Sequence, residues 1–541
     1  MLSVLLKQID NVIIYYIIKL NGLYMEKLTT SEISTKLRVP ISASPLPPLI
    51  EEVIRYPLLE PFVYVVIARD VTTGGYMYLV DELRLNEEEI GIYNTLMDTL
   101  QFELKVPRSE VDPKAYFETS AKGIIDKYRI SMGRMKNVAW SKILYYVERD
   151  MVGFGPLDPL MRDPAIEDIS VNGVGKPVYV FHSKFESMPT NIVFEREQDL
   201  NDLIVRLVHI SGKHISTAFP LVDATLPGRH RLMATYMKEV TPSGSTLTIR
   251  KFRSDPVTIV DMLNYGTLNS EIAAYLWLMM ENRLSAIVVG ATAAGKTTLL
   301  NALVSMIRPG SKIVTIEEVQ ELNLAVENWV PMISRPSYGL STEKIGEVSL
   351  FDLVKASLRM RPDVLVVGEV RGEEAYVLFQ AISTGHGGLC TIHAEDVRSA
   401  LKRLTSKPMD VAPSYIPFLD LAVVVRRVVL PGGDKLRFGR RIISVDEIID
   451  VDNQVKVFEW NAAKDVFESH LEESVKLKKI AEFKGVTVKD LLQEIERRKV
   501  VLNWLRQMNI RHYTDLQKVF VDYYYKPVEM YQRAIERVTK T

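Results

Sequence analysis

Short runs of apolar, β-branched residues recur along this chain between stretches with helical spacing, and the balance of the two changes with position. Between residues 140 and 253 the runs are brief and bounded by turns, as in Ile169-Ser-Val-Asn-Gly173, Pro177-Val-Tyr-Val-Phe181 and Thr246-Leu-Thr-Ile-Arg250, which predicts a β-rich domain. Upstream, residues 51–139 mix strand-like runs (Phe62–Ile67, Tyr76–Val80) with a charged helical pattern over Leu83–Leu104. Ser254-Asp-Pro256 reads as an interdomain joint. Beyond it the pattern is helix, strand, Gly-containing loop, helix, strand Lys312–Ile316, helices, strand Val364–Val367, helix, strand Leu389–Ile392. Strands alternating with helices predict a parallel sheet with helices on its faces. The uninterrupted apolar strands fit burial on both sides. From residue 472 to 541 the chain is charged and helical, with Trp504, Tyr513, Phe520 and Tyr523 to Tyr525 as its aromatic residues.

The domain reading that follows is an N-terminal arm and Pro-rich linker (1–50, with Pro40, Pro45, Pro47 and Pro48), an α+β or helical region (51–139) and an arginine-bearing α/β domain (140–253). A linker (254–265), a parallel-sheet domain (266–471) and a helical C-terminal region (472–541) complete it. In the arm, Leu2, Leu5, Leu6, Ile9, Val12, Ile13, Tyr16, Ile17 and Leu20 fall at helical spacing, a stripe suited to a partner or a membrane surface; a translation start at Met25 is the alternative. Its apolar core, Asn11–Ile18, is far shorter than the ~20 residues of a membrane span.

Composition narrows this picture only a little. At 541 residues and 47% hydrophobic content the chain holds several packed cores. A formal net charge of −1 gives no global attraction to nucleic acid or anionic lipid. The single cysteine, Cys390, excludes an intrachain disulfide and a cysteine-based zinc site, and fits a reducing compartment.

The chemistry concentrates at Gly290-Ala291-Thr292-Ala293-Ala294-Gly295-Lys296-Thr297-Thr298, a complete G-x-x-x-x-G-K-T loop entered from an apolar strand and left into a helix. Glycines let backbone N–H groups turn around a phosphate, and the helix N-terminus adds its dipole. Lys296 is expected to reach the β- and γ-phosphates, and the Thr297 hydroxyl to ligate Mg²⁺. Downstream, Val364–Val367 leads to Gly368-Glu369, the apolar strand and carboxylate of a Walker B arrangement. Glu369 is expected to hold Mg²⁺, partly through water, or to orient the attacking water. Glu317-Glu318 closes the strand after the loop helix, on the rim where parallel sheets bind ligands; a helix-capping acidic pair is the structural alternative. His393 ends the strand beside Walker B and suits a γ-phosphate sensor, with His386 in the Gly-rich turn before it. Arg229, Arg231, Arg250 and Arg253 cluster before the joint, where domain closure would deliver positive charge to the phosphates.

These pieces, in this order, resemble the secretion-type ATPases of type II secretion, type IV pili and related machines, with the archaeal pilus and archaellum branch looking closest. Gly153-Phe-Gly-Pro-Leu-Asp-Pro-Leu160 and Ile166-Glu-Asp-Ile-Ser-Val-Asn-Gly173 resemble the opening of that family's N-terminal domain. Val222 to Arg231 and Thr248 to Phe252 resemble its arginine-bearing stretch, Glu317-Glu318 its acidic box (usually Glu-Asp), and His386 and His393 its His box. Glu496 to Trp504 and Asp522 to Pro527 resemble the C-terminal helices of archaeal members. The resemblance implies an α/β fold: a RecA-like parallel-sheet P-loop domain preceded by α+β domains and followed by helices. It also implies an ATP hydrolase using ATP and Mg²⁺, with Glu317 as catalytic base and Glu369, Arg229, Arg231, Arg250 and His393 in catalysis. The nucleotide would contact residues 290–298 and His386. The implied assembly is a homohexameric ring, cytoplasmic and peripheral at the inner face of the membrane. It would drive a polytopic platform protein without direct nucleic-acid contact. A conjugation-type, DNA-transferring ATPase and a nucleotide-gated scaffold are the alternatives.

Overall fold

The computed structural model describes residues 50–103, 123–125, 127–128, 136–151, 153–253, 255–335, 346–431 and 437–538. The N-terminal stripe and most of the Pro-rich linker lie outside them. The chain divides at residues 253/254 into two compact units.

The first unit is built on a nine-stranded sheet. Its strands are β1 (Ile50–Leu59), β2 (Val63–Asp70), β3 (Tyr76–Glu82), β4 (Ile166–Val171), β5 (Pro177–His182), β6 (Glu186–Val193), β7 (Leu221–Thr225), β8 (Arg231–Thr235) and β9 (Thr246–Arg250), in the order β1-β2-β3-β6-β5-β4-β9-β8-β7. Buried and exposed residues alternate in β7 and nearly so in β9, as expected of strands with one solvated face. Helices α1 (Glu87–Glu103), α2 (Lys136–Met151) and α3 (Glu197–Ile210) accompany the sheet. The β1–β3 meander joins it by a single bridge, Tyr78 to Thr190, reinforced where the Asn191 amide both accepts from and donates to the backbone of Val80. Buried Asp163 adds a second tie by accepting from the hydroxyls of Tyr56 (2.5 Å) and Tyr78 (2.7 Å).

The turn between β7 and β8 presents the arginines. Gly228 and Arg229 both adopt left-handed backbone (φ 77° and 66°), and a Cβ on Gly228 would stand 2.8 Å from His230 Nε2. His230 Nδ1 accepts the Phe252 N–H at 2.9 Å, and the Arg229 guanidinium lies over the Phe252 ring. Asp168, Arg250 and Arg231 face one another across β4, β9 and β8, and Arg231 also pairs with Asp223 at 2.6 Å.

The second unit carries another nine-stranded sheet: β10 (Ala286–Val289), β11 (Ile313–Glu317), β12 (Trp329–Ile333), β13 (Val364–Val367), β14 (Gly387–Ile392), β15 (Leu421–Leu430), β16 (Arg437–Ile448), β17 (Gln454–Asn461) and β18 (Val466–Ser469). The order is β12-β11-β13-β14-β10-β15-β16-β17-β18, parallel through β15 and antiparallel beyond it. Every residue of β10, β11, β13 and β14 is buried, as strands sandwiched between two layers require. Their side chains alternate between two cores. Val288 packs with Leu299, Leu303 and Trp277, whereas Ile287 and Val289 pack with Leu378, Phe379 and Leu401. Besides a short buried helix at Ile259–Asn264, inside the span read as a linker, the helices are α4 (Ser270–Glu281), α5 (Lys296–Val304), α6 (Leu350–Leu358), α7 (Glu374–Ser383) and α8 (Val397–Leu404). The segment between Ile316 and Val364, expected to be helical, also contains β12. Pro331 and its partial exposure mark β12 as an edge strand.

The tail folds as α9 (Val475–Lys484), α10 (Val488–Gln507), α11 (Tyr513–Tyr525) and α12 (Pro527–Val538). Glu447 of β16, fully buried, fastens it. Its carboxylate accepts the hydroxyls of Tyr275 and Ser474 and the N–H groups of Val475 and Lys476. Buried Arg498 of α10 lies over Trp277 and Tyr523 and pairs with Glu281 (2.8 Å) and Glu494 (3.0 Å).

Two outcomes follow from this packing. Glu447→Ala strands four donors in a dry interface and is expected to cost roughly 3–5 kcal/mol. Urea unfolding should show that loss, together with faster proteolysis within residues 475–538. Burial, aided by Lys251, lowers the His230 pKa to about 4. The folded chain therefore takes up this proton less readily than the unfolded chain. The contribution is intact above pH about 6.5 and falls as pH drops toward 4, by about 2 kcal/mol after allowing for partial exposure. Denaturation midpoints at pH 7.5 and 4.5 should differ less in His230→Gln than in the parent protein.

Candidate functional site

The site is assembled at the carboxyl ends of the parallel strands. β10 delivers Gly290, and α5 begins at Lys296. Between them the backbone is left-handed at Ala293 (φ 61°) and Gly295 (φ 96°). Gly290 tolerates no side chain, since a Cβ there would stand 2.5 Å from the Val425 carbonyl oxygen. The loop is thus held by neighbours as well as by its own sequence. Lys296 is only 7% exposed; its Nζ donates to the Ala291 carbonyl at 3.0 Å and lies 3.3–3.4 Å from the ring nitrogens of His393. Burial depresses the Lys296 pKa, and the nearby Glu369 carboxylate partly opposes that.

Glu369 follows β13, and His393 follows β14, the strand between β13 and β10. Glu369 Oε1 lies 2.9 Å from His393 Nε2, and Oε2 accepts from Arg371 at 2.6 Å. Burial works to raise the Glu369 carboxyl, but Arg371, His393 and Lys296 together outweigh it and hold its pKa below the usual value. Burial and Lys296 push the His393 pKa down, with Glu369 pulling the other way. Despite its contact with the ring, Glu369 Oε1 is buried without a well-aligned hydrogen bond. A buried, ionised, under-satisfied oxygen beside a phosphate loop suits a cation-bound or attacking water.

Glu317 ends β11 on the same rim, 5% exposed. Its Oε1 accepts the N–H groups of Glu321 (3.0 Å) and Leu322 (3.1 Å), so it anchors the following loop. Gly368 makes room for it, since a Cβ at 368 would stand 2.9 Å from Glu317 Cγ. Glu318 is half-exposed and lies 3.8 Å from Arg371. His386 is not on this rim. It precedes β14, whose six residues separate it from His393 by about 20 Å, and its Nδ1 is engaged with Thr384 and the Ala381 carbonyl. The structure therefore joins Lys296, Glu369 and His393 directly, places Glu317 on the same rim, and leaves His386 at the other end of the strand. Arg229, Arg231 and Arg250 belong to the first unit.

Three cations at the rim have no assigned role in the sequence reading. Arg371, two residues after Glu369, was legible as a Glu-x-Arg spacing. Arg403 donates to the His393 carbonyl, and Arg426 to that of Glu395. Both come from separate elements, so no local pattern marks them. Among the described residues, no group of His, Cys, Asp and Glu forms a metal cluster, and no helix is long and apolar enough to cross a membrane.

Residues 150–430 match the family model for type II/IV secretion system proteins. An uncharacterized protein of Methanocaldococcus jannaschii is 37% identical over 397 residues, covering 72% of this chain and 70% of that protein. A second protein of the same organism is 42% identical over 244 residues, 44% of this chain and 87% of its own length. A putative conjugal transfer protein of Mycobacterium tuberculosis is 33% identical over 261 residues, covering 47% and 72%. The match over half the chain, together with a relative this similar over most of both lengths, makes this protein a member of the type II/IV secretion system protein family.

Proposed function

We propose that this protein is a Mg²⁺-dependent ATP hydrolase that powers a secretion or pilus-type machine. The observation that carries the reading is the contact series Lys296–His393–Glu369 at the mouth of a complete P-loop. The loop's backbone and Lys296 bind the polyphosphate. Thr297 and Glu369, hard oxygen donors, would hold the metal, which when bound neutralises charge on the phosphates. Glu369, kept ionised by Arg371, is the carboxylate best placed to orient water. Glu317, on the same rim, anchors the adjoining loop through Oε1 and is the second candidate for the catalytic base. His393, neutral at physiological pH, reports the state of the phosphate to Lys296 and Glu369. Arg229, Arg231 and Arg250 are the chain's candidates for further positive charge, from the same or a neighbouring subunit.

The assembly proposed is a homohexamer, cytoplasmic and peripheral to the membrane, acting on a platform protein of an archaeal pilus-like filament, an archaellum or a related secretion system. Differential nucleotide binding would drive its conformational cycle. The similarity to a protein named for conjugal transfer supports a second reading, a DNA-transfer ATPase. The net charge of −1 favours the first.

Steady-state hydrolysis and equilibrium ADP binding test the chemistry. Lys296→Ala is expected to abolish binding. Glu369→Gln should keep nucleotide affinity within about threefold and lower kcat by roughly 10²–10³. Unchanged turnover in Glu369→Gln would refute the assignment. Hydrolysis stimulated by DNA, with a steep salt dependence, would favour the conjugation reading.

A further inference from the structure

The ladder between β10 and β15 ends at Val289 opposite Val424. β15 runs on to Leu430, paired with β16 from Arg437 to Ile442. A two-stranded ribbon therefore overhangs the rim beside the P-loop, and it touches the loop at three points. The Val425 carbonyl closes against Gly290, Arg440 Cδ stands 3.1 Å from where a Cβ on Gly295 would be, and Arg440 Nε donates to the Ala293 carbonyl at 3.3 Å. The stem of Arg440 thus lies along the end of the loop, just before Lys296.

The ribbon's arginines are neutralised very differently. Arg441 is buried and donates from two nitrogens to the Asp465 carboxylate, at 2.8 Å each. Arg426 spends its donors on the Glu395 carbonyl. Arg440 faces no carboxylate among the described residues, and the Ala293 carbonyl takes one of its five N–H groups. It is also directly opposite Arg427, whose guanidinium stacks on Phe438 at 4.6 Å. Like charges opposite each other on one face weaken a ladder. The exposed ribbon nevertheless places Arg440 against the P-loop.

We infer that Arg440 is a phosphate-binding residue of the nucleotide site, its stem seated on Gly295 and its guanidinium contacting the polyphosphate of a nucleoside di- or triphosphate. This rests on the reading of the P-loop as a nucleotide site. Guanidinium–phosphate contacts are strong and charge-assisted, so losing one weakens binding on the order of tenfold.

The test is ADP titration of the full chain at low and high salt, with the parent protein, Arg440→Gln, Arg440→Lys and Lys296→Ala. Gln keeps a donor for the Ala293 carbonyl and removes the charge. The expected result is about tenfold weaker ADP binding in Arg440→Gln with a shallower salt dependence, partial recovery in Arg440→Lys, and an unchanged melting midpoint without nucleotide. Parent-like affinity and salt dependence in Arg440→Gln, with Lys296→Ala inactive in binding, overturns the role of Arg440 and leaves the nucleotide site standing. Weaker binding with unaltered salt dependence and a lowered nucleotide-free midpoint overturns it too, by showing only a seat for the loop. Failure of the parent protein to bind ADP overturns the nucleotide reading itself.

Discussion

One half-buried carboxylate organises the head of the parallel sheet. Glu369 meets Arg371 and His393 directly and acts electrostatically on Lys296. Burial disfavours charge on Glu369 and Lys296; at Glu369 the neighbouring cations outweigh it, and at Lys296 the carboxylate opposes it only in part. The result is a carboxyl held below its usual pKa beside a lysine and a histidine whose pKa values are both lowered, by burial first. A histidine with cationic and anionic neighbours is sensitive to any added negative charge. Negative charge arriving at Lys296 would change the balance felt by all three side chains.

That arrangement depends on places where side chains are missing. Gly290 lets the loop pass under the Val425 carbonyl, and Gly368 lets the Glu317 side chain cross the end of β13. Filling either position forces apart backbone or packed atoms in a region with little free space. The Gly before Glu369 thus has a concrete cause. It accommodates the carboxylate that anchors residues 321 and 322.

The helical tail is integrated into the second unit by polar contacts in a dry setting. Glu447 caps α9 and binds Tyr275 of α4, and Arg498 of α10 sits among aromatic rings and two carboxylates. Such groups are costly when any partner is absent, so they fix one docking arrangement more sharply than apolar packing does.

The sequence by itself determined the P-loop, the strands that frame it and the helical tail, because these are contiguous signals. A buried strand is apolar throughout, a helix repeats every three to four residues, and the loop's glycines and lysine are adjacent in the chain. It also pointed to Glu369 and His393 as strand-end residues. Only the tertiary structure decided which of them meet. His386 and His393 look alike in sequence but stand at opposite ends of one strand, and Glu317 is engaged by backbone that only a folded loop provides. Edge strand β12 escaped notice because Pro331 and exposure blur its pattern, and Arg440 because it reaches the loop from 147 residues away. Spacing along the chain encodes local geometry, whereas the partners of a charge are set by strand order and by which strand end it occupies.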